Sequence, residues 1–287
     1  MITINAKAKI NLTLDILGRR SDGYHEVSMV MQSVDLCDTL TLKKIERGIV
    51  LHGDVEGVAV PQDNLIYKAA ALLLEVCDIP GGVDITLEKR IPVAAGLAGG
   101  STDAAAALRG INELFELHLP DEELCRLAGK LGSDIPFCVL GGTMLARGRG
   151  EILSPLPAAP ALPLVLVKPK IGVSTAWVYK HYHEVEDNVV HPDEDAMKNA
   201  LAKQDVDGIC KSLGNVLEYV TIPAHPEIEQ IKRSLTAYGA KAAMMSGSGP
   251  TVFAVAESNE QAQSIADKIR ADFDADVFAT KTANADI

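Results

Sequence analysis

Residues 83–117 constrain the fold most, because they pass from an alternating strand through a glycine-rich loop into a helix-forming run. Val83, Ile85 and Leu87 alternate with polar residues, and this spacing predicts a strand. A Gly/Ala loop follows from Pro92 to Thr102, and an Ala-rich run with helical spacing extends from about Thr102 to Leu117. This order brings loop N–H groups and the positive end of a helix to one place, which is typical of phosphate-binding sites.

The loop itself carries residue types that a triphosphate site requires. Gly96, Gly99 and Gly100 allow the backbone to approach a ligand closely, so that successive N–H groups can converge on phosphate oxygens. Ser101 and Thr102 can donate hydroxyls to a phosphate or ligate its Mg²⁺. The loop has neither the GxxxxGK[ST] nor the GxGxxG pattern. An ordinary flexible loop before a capped helix explains these residues equally well.

The first predicted strand separates into an apolar and a polar face. The apolar face contains Ala6, Ala8, Ile10, Leu12, Leu14 and Ile16. The polar face contains Lys7, Lys9, Asn11, Thr13 and Asp15. Lys9 and Asn11 project to the same side, where the lysine could pair with a carboxylate or with a developing oxyanion. Taken alone, this face is better explained as a solvated sheet surface.

Three other segments each allow a structural and a functional interpretation. Asp134 precedes Ile135-Pro136, where it can cap a helix or accept a hydroxyl proton. Tyr24-His25 can be a half-buried packing pair or an aromatic contact for a ring ligand. The glycine turn from Ser246 to Pro250 can close a tight hairpin or bring the backbone close to a ligand.

Composition and charge exclude several classes of protein. The 39 acidic and 27 basic side chains give a formal charge of −12, which repels nucleic-acid backbones and anionic membrane surfaces. Five widely spaced cysteines without a CxxC pair indicate reduced thiols, with neither a disulfide framework nor a zinc knuckle. The first residues lack the order of a signal peptide, and the longest uncharged stretch, 152–167, is broken by prolines. We therefore expect a cytoplasmic protein that binds neither nucleic acid nor membrane.

The proline-rich segment SPLPAAPALP marks a predicted domain boundary, because repeated prolines prevent helix formation and remove ladder donors. It divides the chain into an N-terminal domain, residues 1–154, and a C-terminal domain, residues 162–287. The C-terminal part ends in a strand, glycine turn, strand, helix and strand, which predicts an antiparallel α+β layer with helices on one face.

Five ordered motifs together resemble the superfamily of galactokinase, homoserine kinase, mevalonate kinase and phosphomevalonate kinase. They are AKAKINLTL (6–14), SDGYHEV (21–27), PVAAGLAGGSTDAAAAL (92–108), LGSDIPF (131–137) and MSGSGPTVF (245–253). The resemblance implies a two-domain α+β small-molecule kinase fold. Its N-terminal domain would be ribosomal-protein-like with a left-handed crossover, and its C-terminal domain would be ferredoxin-like.

The resemblance also implies roles for individual residues. The superfamily's catalytic lysine corresponds to Lys9, and its catalytic aspartate, the general base for the substrate hydroxyl, corresponds to Asp134. The ATP-binding loop corresponds to Pro92, Val93, Ala94, Ala95, Gly96, Leu97, Ala98, Gly99, Gly100, Ser101 and Thr102. ATP and Mg²⁺ are the implied cofactors, and no Mg²⁺ ligand is assigned beyond Ser101 or Thr102.

The motif AKINL followed by DGYH narrows the resemblance to a member that phosphorylates a small cytidine diphosphate substrate. Asn11, Tyr24, His25 and Tyr179 would then bind the cytidine end, with Met31 where some members carry an aromatic residue. The expected assembly is a monomer or a homodimer. Three alternatives remain: another kinase of the superfamily, a catalytically inactive relative that regulates a partner, and an ordinary scaffold domain.

Overall fold

The structure is a computed structural model that describes residues 1–53 and 61–285. The helices are α1 (Leu65–Val76), α2 (Gly99–Leu114), α3 (Asp121–Ala128), α4 (Ile135–Leu140), α5 (Thr175–His181), α6 (Glu194–Ala202), α7 (Val206–Ser212), α8 (Glu218–Ala224), α9 (Pro226–Ala237) and α10 (Asn259–Asp272). The strands are β1 (Ile2–Arg19), β2 (His25–Ile45), β3 (Gly48–His52), β4 (Gly82–Glu88), β5 (Thr143–Arg147), β6 (Ile152–Pro155), β7 (Pro163–Pro169), β8 (Gly214–Asn215), β9 (Ala242–Met245), β10 (Val252–Val255) and β11 (Ala275–Lys281).

The chain forms two compact units, and each is assembled from separate stretches of sequence. The first unit contains Met1–Ala8, Leu36–Val93 and Ala98–Gly141. The second unit contains Lys9–Asp35, Ala94–Leu97 and Gly142–Ile287. Strands β1 and β2, as well as the glycine loop, therefore contribute residues to both units.

In the first unit, four helices, α1 to α4, share one buried hydrophobic core with the part of the sheet formed by β3, β4 and the second half of β2. Strand β3 runs parallel to β4, and β4 runs antiparallel to β2, with Leu42 opposite Ile85. Helix α2 is rich in small residues at its buried positions. At Gly110 a Cβ atom would lie 2.8 Å from Leu42 Cδ1, so the missing side chain allows the helix to approach the sheet closely.

The second unit contains a four-stranded sheet in the order β11-β7-β10-β9, and its adjacent strands are all antiparallel. Helices α9 and α10 pack on this sheet through buried isoleucines such as Ile231 and Ile265. The predicted antiparallel α+β layer is therefore confirmed. In the same unit, β8 runs parallel to β1, and the β5–β6 hairpin pairs with the first half of β2.

The structure changes two expectations about local elements. Helix α2 begins at Gly99, about one turn before the predicted start at Thr102, because the amide of Thr102 already donates to the carbonyl of Ala98 at 2.9 Å. The polar face of β1 is buried: Lys9 is 5% exposed and Asn11 is fully buried. The alternative of a solvated sheet face at these residues is wrong.

The described residues bear on two predictions, one about membrane-spanning helices and one about the cysteines. Across 1–53 and 61–285, every helix is too short or too polar to cross a bilayer. The five cysteines are all free thiols, as their spacing predicted.

Candidate active site

Lys9 is held inside the second unit by its neighbours on the polar face of β1. Its Nζ donates to Asn11 Oδ1 at 2.8 Å, and Asn11 Nδ2 lies 3.4 Å from Met29 Sδ. Further along this face, Thr13 Oγ1 accepts a hydrogen bond from the amide of Val30 at 3.1 Å. Burial of a lysine is unfavourable without polar partners, and the side-chain oxygen of Asn11 supplies one.

The first half of the glycine loop is attached to the backbone of the same lysine. The amide of Lys9 donates to the carbonyl of Leu97 at 3.1 Å. Ser246 Oγ donates to the carbonyl of Gly96 at 3.0 Å, and the amide of Thr251 donates to that of Ala95 at 3.3 Å. The loop is therefore fixed between β1 and the 246–250 turn, within the second unit.

The 246–250 turn approaches the loop so closely that glycine is required on both sides. A Cβ atom on Gly96 would lie 2.3 Å from the carbonyl oxygen of Ser246. A Cβ atom on Gly247 would lie 3.2 Å from the carbonyl oxygen of Gly96 and 3.6 Å from Lys9 Nζ. The turn therefore lies beside the ammonium group as well as the loop, which favours its functional interpretation.

Asn215 holds this turn in place, although no motif in the sequence points to it. Its Nδ2 donates to the carbonyls of Met245 and Gly247, both at 2.8 Å, while its Oδ1 accepts from the amide of Leu217 at 3.0 Å. Thr221 Oγ1 adds a 3.2 Å hydrogen bond to the carbonyl of Ser248. Asn215 lies on a two-residue strand, so no periodic pattern could have identified it.

The second half of the loop forms the first turn of α2 in the first unit. Ala98 precedes this helix in a left-handed conformation, and no side chain caps the helix. The first-turn N–H groups therefore lack a side-chain acceptor and suit an anionic ligand. Thr102 is buried and donates its hydroxyl to the carbonyl of Lys7 at 2.6 Å, whereas Ser101 is half-buried. Ser101 is thus the better placed hydroxyl for a phosphate.

A buried ionic cluster lies directly behind the start of α2. Lys89 pairs with Asp38 and, at 2.8 Å, with Asp103. Asp38 also accepts the amide of Ile91 at 2.8 Å, so the cluster fixes the chain that leads from β4 into the loop. Burial raises the pKa of Asp103 to about 7. The charge of Lys89 opposes this rise, whereas the charge of Asp38 adds to it.

Asp134 occupies the N-terminal position of α4 in the first unit and is half-buried. Its side chain accepts no capping hydrogen bond from the helix it precedes. The helix begins with Ile135-Pro136, whose proline needs no backbone partner at this position. Capping of α4 therefore does not explain why an aspartate stands here.

The residues predicted to bind a base form an aromatic cluster in the second unit. The rings of His25 and Tyr179 lie 5.5 Å apart at an angle of 38°, and Tyr182 contacts His25 edge-on at 6.5 Å. Burial and the charge of Arg19 lower the pKa of His25, which favours the neutral imidazole. The ring of Tyr24 lies instead under the guanidinium of Arg149, 5.0 Å from its centre.

The structure thus groups the predicted residues into local sets. Lys9, Asn11 and the first half of the loop lie together in the second unit, and His25 lies with Tyr179 in the same unit. Among the described residues, no group of three or more His, Cys, Asp or Glu side chains could hold a metal ion.

Comparison with known proteins gives two family matches. Residues 64–142 match the GHMP kinases N-terminal domain, and residues 197–275 match the GHMP kinases C-terminal domain. A 4-diphosphocytidyl-2-C-methyl-D-erythritol kinase from Exiguobacterium sibiricum is 53% identical over 94% of both chains. The kinase of the same name from Geobacillus kaustophilus is 50% identical over 98% of this chain and 96% of its own.

Solved structures give a consistent result. The crystal structure of a 4-(cytidine 5'-diphospho)-2C-methyl-D-erythritol kinase is 36% identical, covers 99% of this chain and 100% of its own, and has a TM-score of 0.85. A mevalonate kinase from L. major, at 20% identity, covers 99% of this chain and 96% of its own with a TM-score of 0.77. At that identity the second comparison is evidence for the fold alone.

Proposed function

The chain belongs to the GHMP kinases and, within them, to the 4-diphosphocytidyl-2-C-methyl-D-erythritol kinases, and we propose that it transfers the γ-phosphoryl group of ATP to the 2-hydroxyl of that substrate. The products would be the 2-phosphate and ADP, in non-mevalonate isoprenoid biosynthesis. The observation that carries the proposal is identity above 50% over nearly the whole length of both chains. Substrate, pathway and reaction thus follow from membership, and the site residues add the chemistry.

Asp134 and Lys9 are the proposed catalytic residues. Asp134 would accept the proton of the substrate hydroxyl, and its lack of a capping role supports this assignment. The positive charge of Lys9 would stabilise the carboxylate and the developing alkoxide. The hydrogen bond to Asn11 would orient the ammonium group of Lys9. Transfer of the phosphoryl group then depends mainly on positioning and charge neutralisation.

The loop from Pro92 to Thr102 is the proposed ATP site. The uncapped first turn of α2 supplies N–H donors, and the tight packing around Gly96 leaves no side chain between the backbone and a ligand there. Ser101 is the candidate protein ligand that would hold Mg²⁺, and the bound ion would supply charge neutralisation on the phosphates. Asn11, Tyr24, His25 and Tyr179 are the proposed cytidine-binding residues.

We also retain the division into residues 1–154 and 162–287 as a proposal about domains. It is supported by the two family matches, which fall on either side of the proline-rich segment. The proposal also includes the assembly, a monomer or a homodimer. The proposed partner is a small-molecule substrate, and no nucleic acid is involved.

Phosphorus NMR of the reaction product tests the proposed function. Mg-ATP is incubated with the protein and 4-diphosphocytidyl-2-C-methyl-D-erythritol, with homoserine and mevalonate in parallel reactions. We expect a new phosphomonoester signal with the cytidyl substrate alone. Transfer to homoserine or mevalonate would refute the substrate assignment, and no transfer to any acceptor would favour a regulatory binding protein.

A further inference from the structure

Arg149 lies in the turn between β5 and β6, and the backbone of this turn is fixed against the start of β2. The amide of Gly148 donates to Glu26 Oε1 at 2.9 Å, and the amide of Val27 donates to the carbonyl of Gly148 at 2.9 Å. The amide of Arg149 itself donates to Glu151 Oε2 at 2.6 Å. The position of Arg149 beside Tyr24 is therefore set by the fold.

The tyrosine that Arg149 covers is also held by its backbone. The amide of Tyr24 donates to Asp22 Oδ1 at 3.1 Å, and the amide of Arg20 donates to the carbonyl of Tyr24 at 2.8 Å. Its side chain is 55% exposed, although the guanidinium of Arg149 lies over the ring. An exposed aromatic ring with one charged neighbour has surface left for a second stacking partner.

Arg149 differs from the nearby arginines in how its charge is balanced. Arg20 pairs with Glu26 at 2.8 Å, and Arg147 pairs with Glu194 at 2.7 Å. Within the described part of the chain, Glu151 is the only carboxylate that forms an ion pair with the guanidinium of Arg149, and its oxygen lies 3.5 Å from Nε. Asp22 also interacts electrostatically with Arg149, and the charge of Arg149 contributes to the lowered pKa of Asp22, but the two form no ion pair. The Arg149 side chain is 33% exposed, so its remaining N–H donors can reach a ligand.

A diphosphate needs such a local cation in this protein. The formal charge of −12 opposes any anionic ligand at long range, so attraction has to come from groups close to the site. Arginine suits this role because its planar guanidinium can stack on an aromatic ring and still offer paired N–H donors to a phosphate.

We propose that Arg149 is a substrate-specificity residue that contacts the diphosphate of the nucleoside diphosphate substrate while it stacks on Tyr24. This inference rests on the proposed function, since it deepens the assignment of the cytidine site. It divides recognition into two parts: the aromatic residues bind the base, and Arg149 binds the phosphates next to it. Substrate binding, and not phosphoryl transfer, depends on this residue.

Calorimetric titration of the full-length protein with CDP and with cytidine tests the division. In Arg149→Met we expect the Kd for CDP to rise about ten- to a hundredfold, the effect of one charge-assisted hydrogen bond, and the Kd for cytidine to change less than threefold. Arg233→Met is the matched control, because it removes one arginine from an exposed position on α9, where it pairs with Glu229 of the same helix. It should leave both Kd values unchanged.

Steady-state kinetics supply a second readout. Arg149→Met should raise the KM for the cytidyl substrate while kcat stays within threefold, and Arg149→Lys should recover part of the loss because it retains the charge. Equal losses for cytidine and CDP would overturn the proposal, since Arg149 would then act only through the Tyr24 ring. Unchanged CDP affinity would overturn it as well. A wild-type protein that binds neither compound would overturn this inference, whereas the proposed function stands or falls separately with the phosphorus NMR assay of phosphoryl transfer.

Discussion

Substitution of Gly96 by alanine tests whether the contact between the loop and the 246–250 turn supports the site. The backbone φ of Gly96 is +76°, in the left-handed region where a Cβ atom costs about 1–2 kcal/mol. The added Cβ would lie 2.3 Å from the carbonyl oxygen of Ser246 and 3.0 Å from that of Gly249. Both contacts are with backbone atoms, so relief requires movement of the chain, at a cost of about 1–3 kcal/mol.

These two contributions predict a loss of about 2–5 kcal/mol in the free energy of unfolding for Gly96→Ala. The variant that folds should also lose activity, because displacement of the loop by about 1 Å can cost about a hundredfold in rate. Urea unfolding monitored by circular dichroism measures the first effect, and kcat/KM for ATP measures the second.

Gly100→Ala is the matched control in the same loop. A Cβ atom at Gly100 meets only Leu65 Cδ1, at 3.7 Å, and the residue lies in the first turn of α2. Alanine should therefore be neutral or stabilising by about 0.5–1 kcal/mol there. A Gly96→Ala protein within about 0.5 kcal/mol of the wild type would show that the turn moves freely, and would refute the reasoning.

Three further variants test separate parts of the site. Asp134→Asn should lower kcat about 10²- to 10⁴-fold with little change in KM, as expected for loss of a general base; a change below threefold in the steady-state assay would contradict that role. Asn215→Ala should lower the free energy of unfolding by about 2–4 kcal/mol, because it leaves two buried carbonyls without their donor; urea unfolding tests this, with Asn284→Ala as an end-of-chain control. Asp103→Asn should flatten the dependence of stability on pH. The pKa of Asp103 is raised by folding, so its contribution to stability is complete below about pH 4 and is lost as pH rises towards 7, at up to about 1.4 kcal/mol per unit. Urea unfolding at pH 5 and pH 8 should therefore give a smaller difference in the variant, and an unchanged difference would exclude Asp103 as the cause.

Patterns with a period or a motif were predictable from the sequence. The alternation in β1 predicted its buried apolar face, and the glycine spacing identified both the loop and the turn. The predicted start of α2, Thr102, was three residues too late, because Gly99 and Gly100 have low helix propensity. In the structure the helix begins at Gly99, directly after Ala98 in its left-handed conformation.

Contacts between distant parts of the chain were not predictable. The polar face of β1 was expected to be solvated because alternation shows that two faces differ, not what covers each of them. Lys9 is buried, and it lies against residues from far along the chain: Leu97 in the loop and Gly247 in the turn. The roles of Asn215 and Arg149 depend on such long-range contacts. The residues that flank them in the sequence form no motif or periodic pattern that would distinguish them from surface residues.

The contact between Ser246 and Gly96 has a consequence for engineering, since it joins two segments that lie 150 residues apart in the chain. The backbone of each segment packs directly against the backbone of the other. A loop transplanted from a different kinase would therefore clash with, or lose its contacts to, the 246–250 turn of this protein. Chimaeras that aim to change nucleotide preference should therefore exchange residues 94–97 and 246–250 as a pair. Libraries that randomise one segment alone would sample mainly proteins whose two halves of the site no longer fit.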